Sequence, residues 1–345
     1  MDPVSHVALG RTLIAALAPG SQDDRPIRGS VAAGVLGTLA PDLDAVFMPF
    51  GWDVYLRVHE IGTHSIPGNA ACALLTAAVV RLVARETPYW ALFVSAWIGA
   101  LSHIALDLLS SARLQPGWPA IDTVVSLPAV AMADPWLLIL CASGPVALWV
   151  WRSKPTATAT IAIAAAAIFL LVKGVVGAWG FAGYKAAREA SGEAVEARVI
   201  EATWASLDTW RVLDRTPARL RVWRASPGTR ATEIFSWPLP RETESIRSSR
   251  SFSTVRNFLH VHHLGFAAVI PEPEGGSHVL WSDIRFCWDP AQPGAPRLEP
   301  IVESEDGRRR ISCVLWFGGE LDASGQPVRE IVKIGGFTQT RPVAR

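Results

Sequence analysis

Long apolar runs separated by short polar breaks fill the first half of the chain, and shorter strand-like runs between Pro/Gly-rich turns fill the second. Six of the long runs, residues 4–18, 30–47, 66–83, 89–109, 134–151 and 158–181, approach the roughly 20 apolar residues a helix needs to cross hydrocarbon. The first is short and carries Arg11, and the second ends in Ala40-Pro41-Asp42-Leu43-Asp44. Those two read either as spans or as re-entrant or interfacial segments. The pattern therefore predicts a membrane all-α helical bundle of four to six spans over residues 1–183. A polar helix-like stretch at 183–201 follows, and then strand-like runs at 203–213, 219–225, 232–237, 279–288, 311–317 and 330–337. Phe252, Val255, Phe258, Leu259 and His262 recur at helical spacing within 247–264. Residues 184–345 thus read as a soluble α+β domain large enough to bury its own core.

Charge sharpens this division. Lys, Arg, Asp and Glu make up 21 of the first 183 residues, about 11%, and 42 of the remaining 162, about 26%. An ordinary soluble domain carries about 25%, so a wholly soluble protein is excluded. Net charge is +1, and the one basic cluster, Arg308-Arg309-Arg310, precedes an apolar strand and reads as a solvated edge; no nucleic-acid partner is expected. Residues 1–6 have no positive n-region, so a removable signal peptide is not expected. If all six segments span, Arg25 and Arg28, Arg81 and Arg85, and Arg152 and Lys154 share one side. Basic loops lie in the cytoplasm, which places the other connections and the C-terminal domain outside it. Cys72 and Cys141 fall in predicted spans. Cys287 and Cys313 fall in predicted strands and read as two separate core thiols, with a disulfide as the alternative if the domain is external.

All four histidines of the first half, His6, His59, His64 and His103, lie near ends of apolar segments, as do Asp2, Asp42, Asp44 and Asp107. Under the six-span topology these ends meet on one face of the bundle. Ionisable groups at membrane depth are costly and point to function. His103 and Asp107, at i and i+4, share a helix face; alone they also suit a His–Asp bond between helices, as Asp42 and Asp44 alone suit a solvated helix end. His59-Glu60-Ile61-Gly62-Thr63-His64 is not a zinc-protease motif, since its histidines are five apart, about 140° around a helix. It reads instead as a loop, with Thr63 and Ser65 placed to cap the segment starting at Ile66-Pro67. Imidazoles mixed with carboxylates bind zinc, manganese or iron, and such an ion activates water for hydrolysis. His260, His262 and His263 read as packing and helix-end charge.

Asp2-x-x-x-His6, Ala40-Pro41-Asp42-x-Asp44, His59-x-x-Gly62-Thr63-His64-Ser65-Ile66-Pro67, His103-x-x-x-Asp107 and Asp134-Pro135-Trp136 together resemble bacterial inner-membrane proteins described as predicted membrane-bound metal-dependent hydrolases (YdjM/YfhP-like). The resemblance covers residues 1–150 and extends to residues 252–259 and 279–286 of the tail. It implies a multi-span inner-membrane protein whose metal site comprises His6, Asp42, Asp44, His59, His64, His103 and Asp107. Two departures stand out: Glu60 replaces the family's Arg, and Leu108-Leu109-Ser110-Ser111-Ala112-Arg113 replaces an Asn-containing, Gly-rich turn. Arg57 or Arg113 is then the candidate to restore the missing cation.

The expected protein is a metal-dependent hydrolase, zinc being the first choice of ion, that cleaves an ester or phosphoester of a small or lipid-linked substrate at the membrane surface. His59, His64, His103 and Asp107 are the core ligands, Asp42 and Asp44 bind or bridge, and His6 ligates or orients. Asp42, Asp44, His64 and Asp107 are the catalytic candidates, with an uncoordinated Asp as general base. Membrane lipid is the expected partner, and the tail domain is placed to bind a protein. The rival readings are a non-enzymatic scaffold or a transporter with a structural His/Asp cluster.

Overall fold

A computed structural model describes residues 2–17, 27–59, 61–273, 275–292, 295–296 and 298–343. Arg25 and Glu60 lie outside them. The first part is helical: α1 (Pro3–Leu17), α2 (Ser30–Leu39), a 3₁₀ helix (Pro41–Phe50), α3 (Trp52–Val58), α4 (Ile66–Arg81), α5 (Tyr89–Leu109), α6 (Pro135–Val150) and α7 (Pro155–Ser191). Among the described residues, α5 and α7 are long and apolar enough to cross a membrane. A third crossing is added if α2 and the 3₁₀ helix, bent by 44°, count as one. The expected four to six is therefore corrected to two or three. The apolar runs are present, but the helices α1, α4 and α6 have 15, 16 and 16 described residues, short of about 20.

Local chemistry sets where those helices start. Ser65 caps α4 by accepting from the Gly68 amide (3.1 Å), and Pro67 occupies its first turn. Asp134 caps α6 through the Trp136 and Leu137 amides (3.0 and 3.1 Å). The helix α5 lies at the centre, packed by α1, α2 and α4. Its approach to α2 is as close as backbone allows: a Cβ on Gly99 would sit 2.0 Å from the Gly34 carbonyl oxygen, and one on Gly37 2.1 Å from that of Ala96. Small residues at such crossings are how helices in lipid come into contact. Outside, α7 exposes Ile161, Ile168, Leu171 and Val172, an apolar face suited to acyl chains.

The tail is a sandwich. A meander of β1 (Ala197–Ala202), β2 (Trp210–Arg215), β3 (Arg219–Ala225) and β4 (Thr232–Pro238) faces a five-stranded antiparallel sheet. That sheet runs β12 (Phe337–Pro342), β11 (Pro327–Ile334), β10 (Leu315–Leu321), β6 (Ser277–Asp283), β5 (Gly265–Pro271). Leu213, Val222, Trp237, Phe266, Leu280 and Trp316 fill the space between the sheets. Alternate residues of the five-stranded sheet, Ala267, Val279, Trp281 and Phe317, point to its other face, as strand periodicity requires. There they meet Ile246, Phe252, Val255 and Phe258 of α8 (Glu244–Ser249), α9 (Ser253–Val261) and the turn between them. A small sheet of β7 (Cys287–Trp288), β8 (Ile301–Glu303) and β9 (Arg310–Cys313) completes the domain. Cys287 and Cys313 stand opposite each other across β7 and β9 and form a disulfide, which corrects the expectation of two free thiols.

Among the described residues, two groups of contacts help seat the tail on the bundle. At one, Asp53 of α3 accepts from Asn257 of α9 (2.7 Å) and pairs with Arg341 (2.7 Å), while Arg57 donates to Asn257 (3.0 Å). At the other, Trp210 donates to the Pro128 carbonyl (2.8 Å) and lies beneath Lys173 of α7, whose ammonium also donates to the Ser206 carbonyl (2.7 Å). Both contacts lie at the end of the bundle where α5 finishes and α6 begins.

Candidate metal centre

The same end gathers every histidine and aspartate assigned to the metal site in the sequence. His6 comes from the first turns of α1, Asp42 and Asp44 from the 3₁₀ helix after α2, and His59 from the C-cap of α3. His64 comes from the loop before α4, and His103 and Asp107 from the last turns of α5. Asp107 is a hub: Oδ2 lies 2.9 Å from His103 Nε2 and 3.5 Å from His64 Nε2, and Oδ1 lies 3.3 Å from His6 Nε2. Asp42 Oδ1 faces the same two ring nitrogens of His64 and His103, at 3.6 and 3.5 Å. Asp44 contacts His59 Nδ1 through both oxygens, at 3.0 and 3.2 Å. The His6 ring stacks on His103, with centroids 3.9 Å apart.

Hydrogen-bond partners assign the tautomers. His103 Nδ1 donates to the Thr38 carbonyl oxygen (2.6 Å). Thr63 Oγ1 gives its one proton to Asp44 Oδ2 (3.2 Å), so it accepts from His64 Nδ1 (3.1 Å). Neutral His64 and His103 then both present an Nε2 lone pair, and these two atoms are only 3.2 Å apart, with carboxylate oxygens on either side. Lone pairs and anions so arranged repel unless positive charge lies among them. A divalent cation supplies that charge, and the donor set of imidazoles and carboxylates suits one. His6 fits the same reading: both its ring nitrogens are buried without a hydrogen bond, although Nε2 approaches Asp107. Two three-residue groups, His6/His103/Asp107 and Asp42/His59/His64, each offer ligand atoms within 4.8 Å of one another.

Outside this set, Asp2 accepts from the Ser5 amide (2.8 Å) at the start of α1. Thr63, expected as a cap, instead orients Asp44 and His64. Thr38 was missed, because its contribution is a backbone carbonyl and no side-chain pattern marks it. Also missed was a cavity of about 670 Å³ between the bundle and the tail. His59 lines it, with Arg113 after α5 and His260, His262, His263 and Arg285 of the tail. Arg57, by contrast, holds the interdomain contact. Of the tail histidines, His262 packs as expected, at this cavity wall against Asp283 and Arg285, whereas His260 and His263 are exposed. Burial disfavours the charged Asp283, yet Arg285 and the His262 hydrogen bond outweigh it and hold the carboxyl below the usual carboxylate range.

The departure after Asp107 has a structural consequence. Ser111 takes φ +74°, and the Ala112 amide reaches back to the Asp107 carbonyl (3.2 Å), the turn that favours glycine at the left-handed position. Serine there costs about 1 kcal/mol, and its Oγ is buried without a partner. Ser111→Gly is expected to raise the thermal unfolding midpoint of the detergent-solubilised protein; a lowered midpoint would show that the hydroxyl contributes more than the strain.

Comparison with known proteins identifies the family of the first part of the chain. The family model for the YdjM inner membrane protein matches residues 1–180. The uncharacterized protein YfhP of Bacillus subtilis (strain 168) is 27% identical over 161 residues, covering 46% of this chain and 49% of YfhP. The chain thus spans about half the length of this curated relative. No solved structure matches the chain. The matched region contains every histidine and aspartate of the site, and the chain is a membrane protein belonging to the YdjM inner membrane protein family.

Proposed function

We propose that the protein is a membrane-embedded, metal-dependent hydrolase that cleaves an ester or phosphoester at the membrane surface. The observation that carries this reading is the approach of His64 Nε2 and His103 Nε2 to 3.2 Å of each other between the carboxylates of Asp42 and Asp107. His59, His64, His103 and Asp107 are the core ligands for one or two divalent ions, zinc being the best match to the donors. Asp44 orients His59 and His64, and His6 braces His103 and Asp107. Bound there, the ion supplies Lewis acidity, which acidifies water and polarises the scissile group. Asp42 is the general base: its side chain is 38% exposed, against 3% for Asp44 and 5% for Asp107, so it reaches both the centre and incoming water. It removes a proton as the water oxygen bonds to carbon or phosphorus, and the departing alcohol oxygen receives a proton.

Several features support a multi-pass protein with the tail outside the cytoplasm. Exposed Trp90, Trp149 and Trp151 mark one end of α5 and α6, and exposed Trp118 and Trp136 the other, as aromatic belts do at membrane interfaces. Arg28, Arg81, Arg85, Arg152 and Lys154 belong to the end away from the site, and the Cys287–Cys313 disulfide suits an oxidising compartment. Elemental analysis of purified protein, followed by a hydrolysis screen on lipid and phosphoester substrates, tests the activity. Stoichiometric metal with turnover is expected; bound metal without turnover on any of them favours a structural ion and a scaffold.

A further inference from the structure

The cavity between bundle and tail joins the candidate metal centre through His59, which lines the cavity and contacts Asp44. Its volume, about 670 Å³, is that of a small-molecule site. Both domains build it. From the bundle come Arg113 and Met132, and from the tail His263, Arg285 and Phe286. Each domain therefore brings one guanidinium and a share of the apolar wall. The two cations share a neighbourhood: burial, and then the charges of Arg113 and Arg285, push His263 below its ordinary pKa. Arg285 is also oriented before any ligand arrives, since Asp283 accepts from its backbone amide (2.9 Å) and its guanidinium (3.1 Å). Leu56, Val124 and Leu315 extend the apolar wall.

Building on the hydrolase reading, we infer that this cleft is the substrate site and that its ligand is a phosphomonoester lipid. Arg113 and Arg285 grip the phosphate from opposite domains, and the apolar wall receives the first part of the acyl region. A phosphomonoester carries about −1.5 to −2 charge near neutral pH and offers oxygens that guanidinium forks can grip from two sides, while Asp283 keeps its contact to Arg285. The cleft opens where helices α5 and α6 meet the tail, at headgroup depth in the topology proposed above. Hydrolysis there forms a phosphorus–oxygen bond to water and breaks the one to the lipid alcohol, which takes up the proton that Asp42 removes from water. The tail domain thereby contributes half of the substrate site, and the family region of residues 1–180 supplies the metal centre without it.

Dihexanoyl phosphatidate titrated into the full-length protein in uncharged detergent tests this, with inorganic phosphate and dihexanoylglycerol as parallel probes. Phosphatidate is expected to bind at least tenfold more tightly than either, because each alone offers half of the cleft's chemistry. Arg113→Gln and Arg285→Lys should each weaken phosphatidate binding about tenfold; the lysine retains a charge beside Asp283 and so protects the fold. Parent-like binding in both variants overturns the site, and inorganic phosphate binding as tightly as phosphatidate overturns the lipid assignment. Metal content measured on the same samples separates the two readings. A parent protein without metal that still binds phosphatidate through Arg113 refutes the hydrolase and leaves the cleft standing. Loss of metal from Arg113→Gln refutes the cleft, since the arginine would then act through the metal centre.

Discussion

Replacing His64 and His103 together by alanine is expected to remove the bound metal, leaving less than a tenth of the parent's content by elemental analysis. These two rings supply the Nε2 atoms that meet 3.2 Å apart between Asp42 and Asp107. Losing even an outer-shell partner of a metal ligand costs 10- to 100-fold in affinity, so losing two ligands exceeds that. The variant also strips both histidines from Oδ2 of the buried Asp107 while His6 stays on Oδ1, and stranding a buried charge costs about 3–5 kcal/mol. A folding control is therefore part of the measurement. His6→Phe serves, because a phenyl ring can keep the stack on His103 while deleting the contact to Asp107. It should bind metal more weakly than the parent but more tightly than the double variant. A folded double variant with undiminished metal would sink the centre, and the cluster would then be held together by protons shared among its imidazoles.

How much of this was legible in the sequence depends on how local each signal is. The i, i+4 spacing of His103 and Asp107 puts both on one helix face without reference to anything else in the chain. The Ala-Pro-Asp-x-Asp run after α2 announces a helix end bearing carboxylates, and the 3₁₀ helix begins at Pro41, directly after the break at Ala40. Span number was less legible, because apolar character persists through turns that end a helix. Residues 30–47 read as one segment but bend by 44° near Ala40. The Cys287–Cys313 bond depends on strand register between β7 and β9, which no composition rule supplies. The cleft was least legible of all. Arg113 and Arg285 are brought together only by the way the tail is seated on α3 and α7, and no period along the chain links residues so far apart. Even the Ser110-Ser111 pair reads as an ordinary loop until the left-handed φ of Ser111 is known.

Gly99→Ala, the smallest possible change in α5, is expected to damage the metal centre more than a methyl group's size suggests. The new Cβ would sit 2.0 Å from the Gly34 carbonyl oxygen and 3.0 Å from the Thr38 amide nitrogen. Both are backbone atoms, which no rotamer change can move aside, so α2 and α5 must separate. Overpacking of this kind costs about 1–3 kcal/mol. The shift acts directly on the site, because Thr38 lies one turn beyond Gly34 and His103 one turn beyond Gly99. The bond from His103 Nδ1 to the Thr38 carbonyl, 2.6 Å long, is what holds the ring's tautomer and aim. Weakening it is an outer-shell loss, expected to lower metal affinity 10- to 100-fold alongside a lower thermal midpoint. Gly174→Ala in α7 is the matched control: no atom lies within 4 Å of its Cβ position. There the substitution should stabilise by about 0.8–1 kcal/mol through helix propensity and leave metal affinity unchanged. If Gly99→Ala retains both parent stability and parent metal affinity, the close crossing of α2 and α5 is not what positions His103.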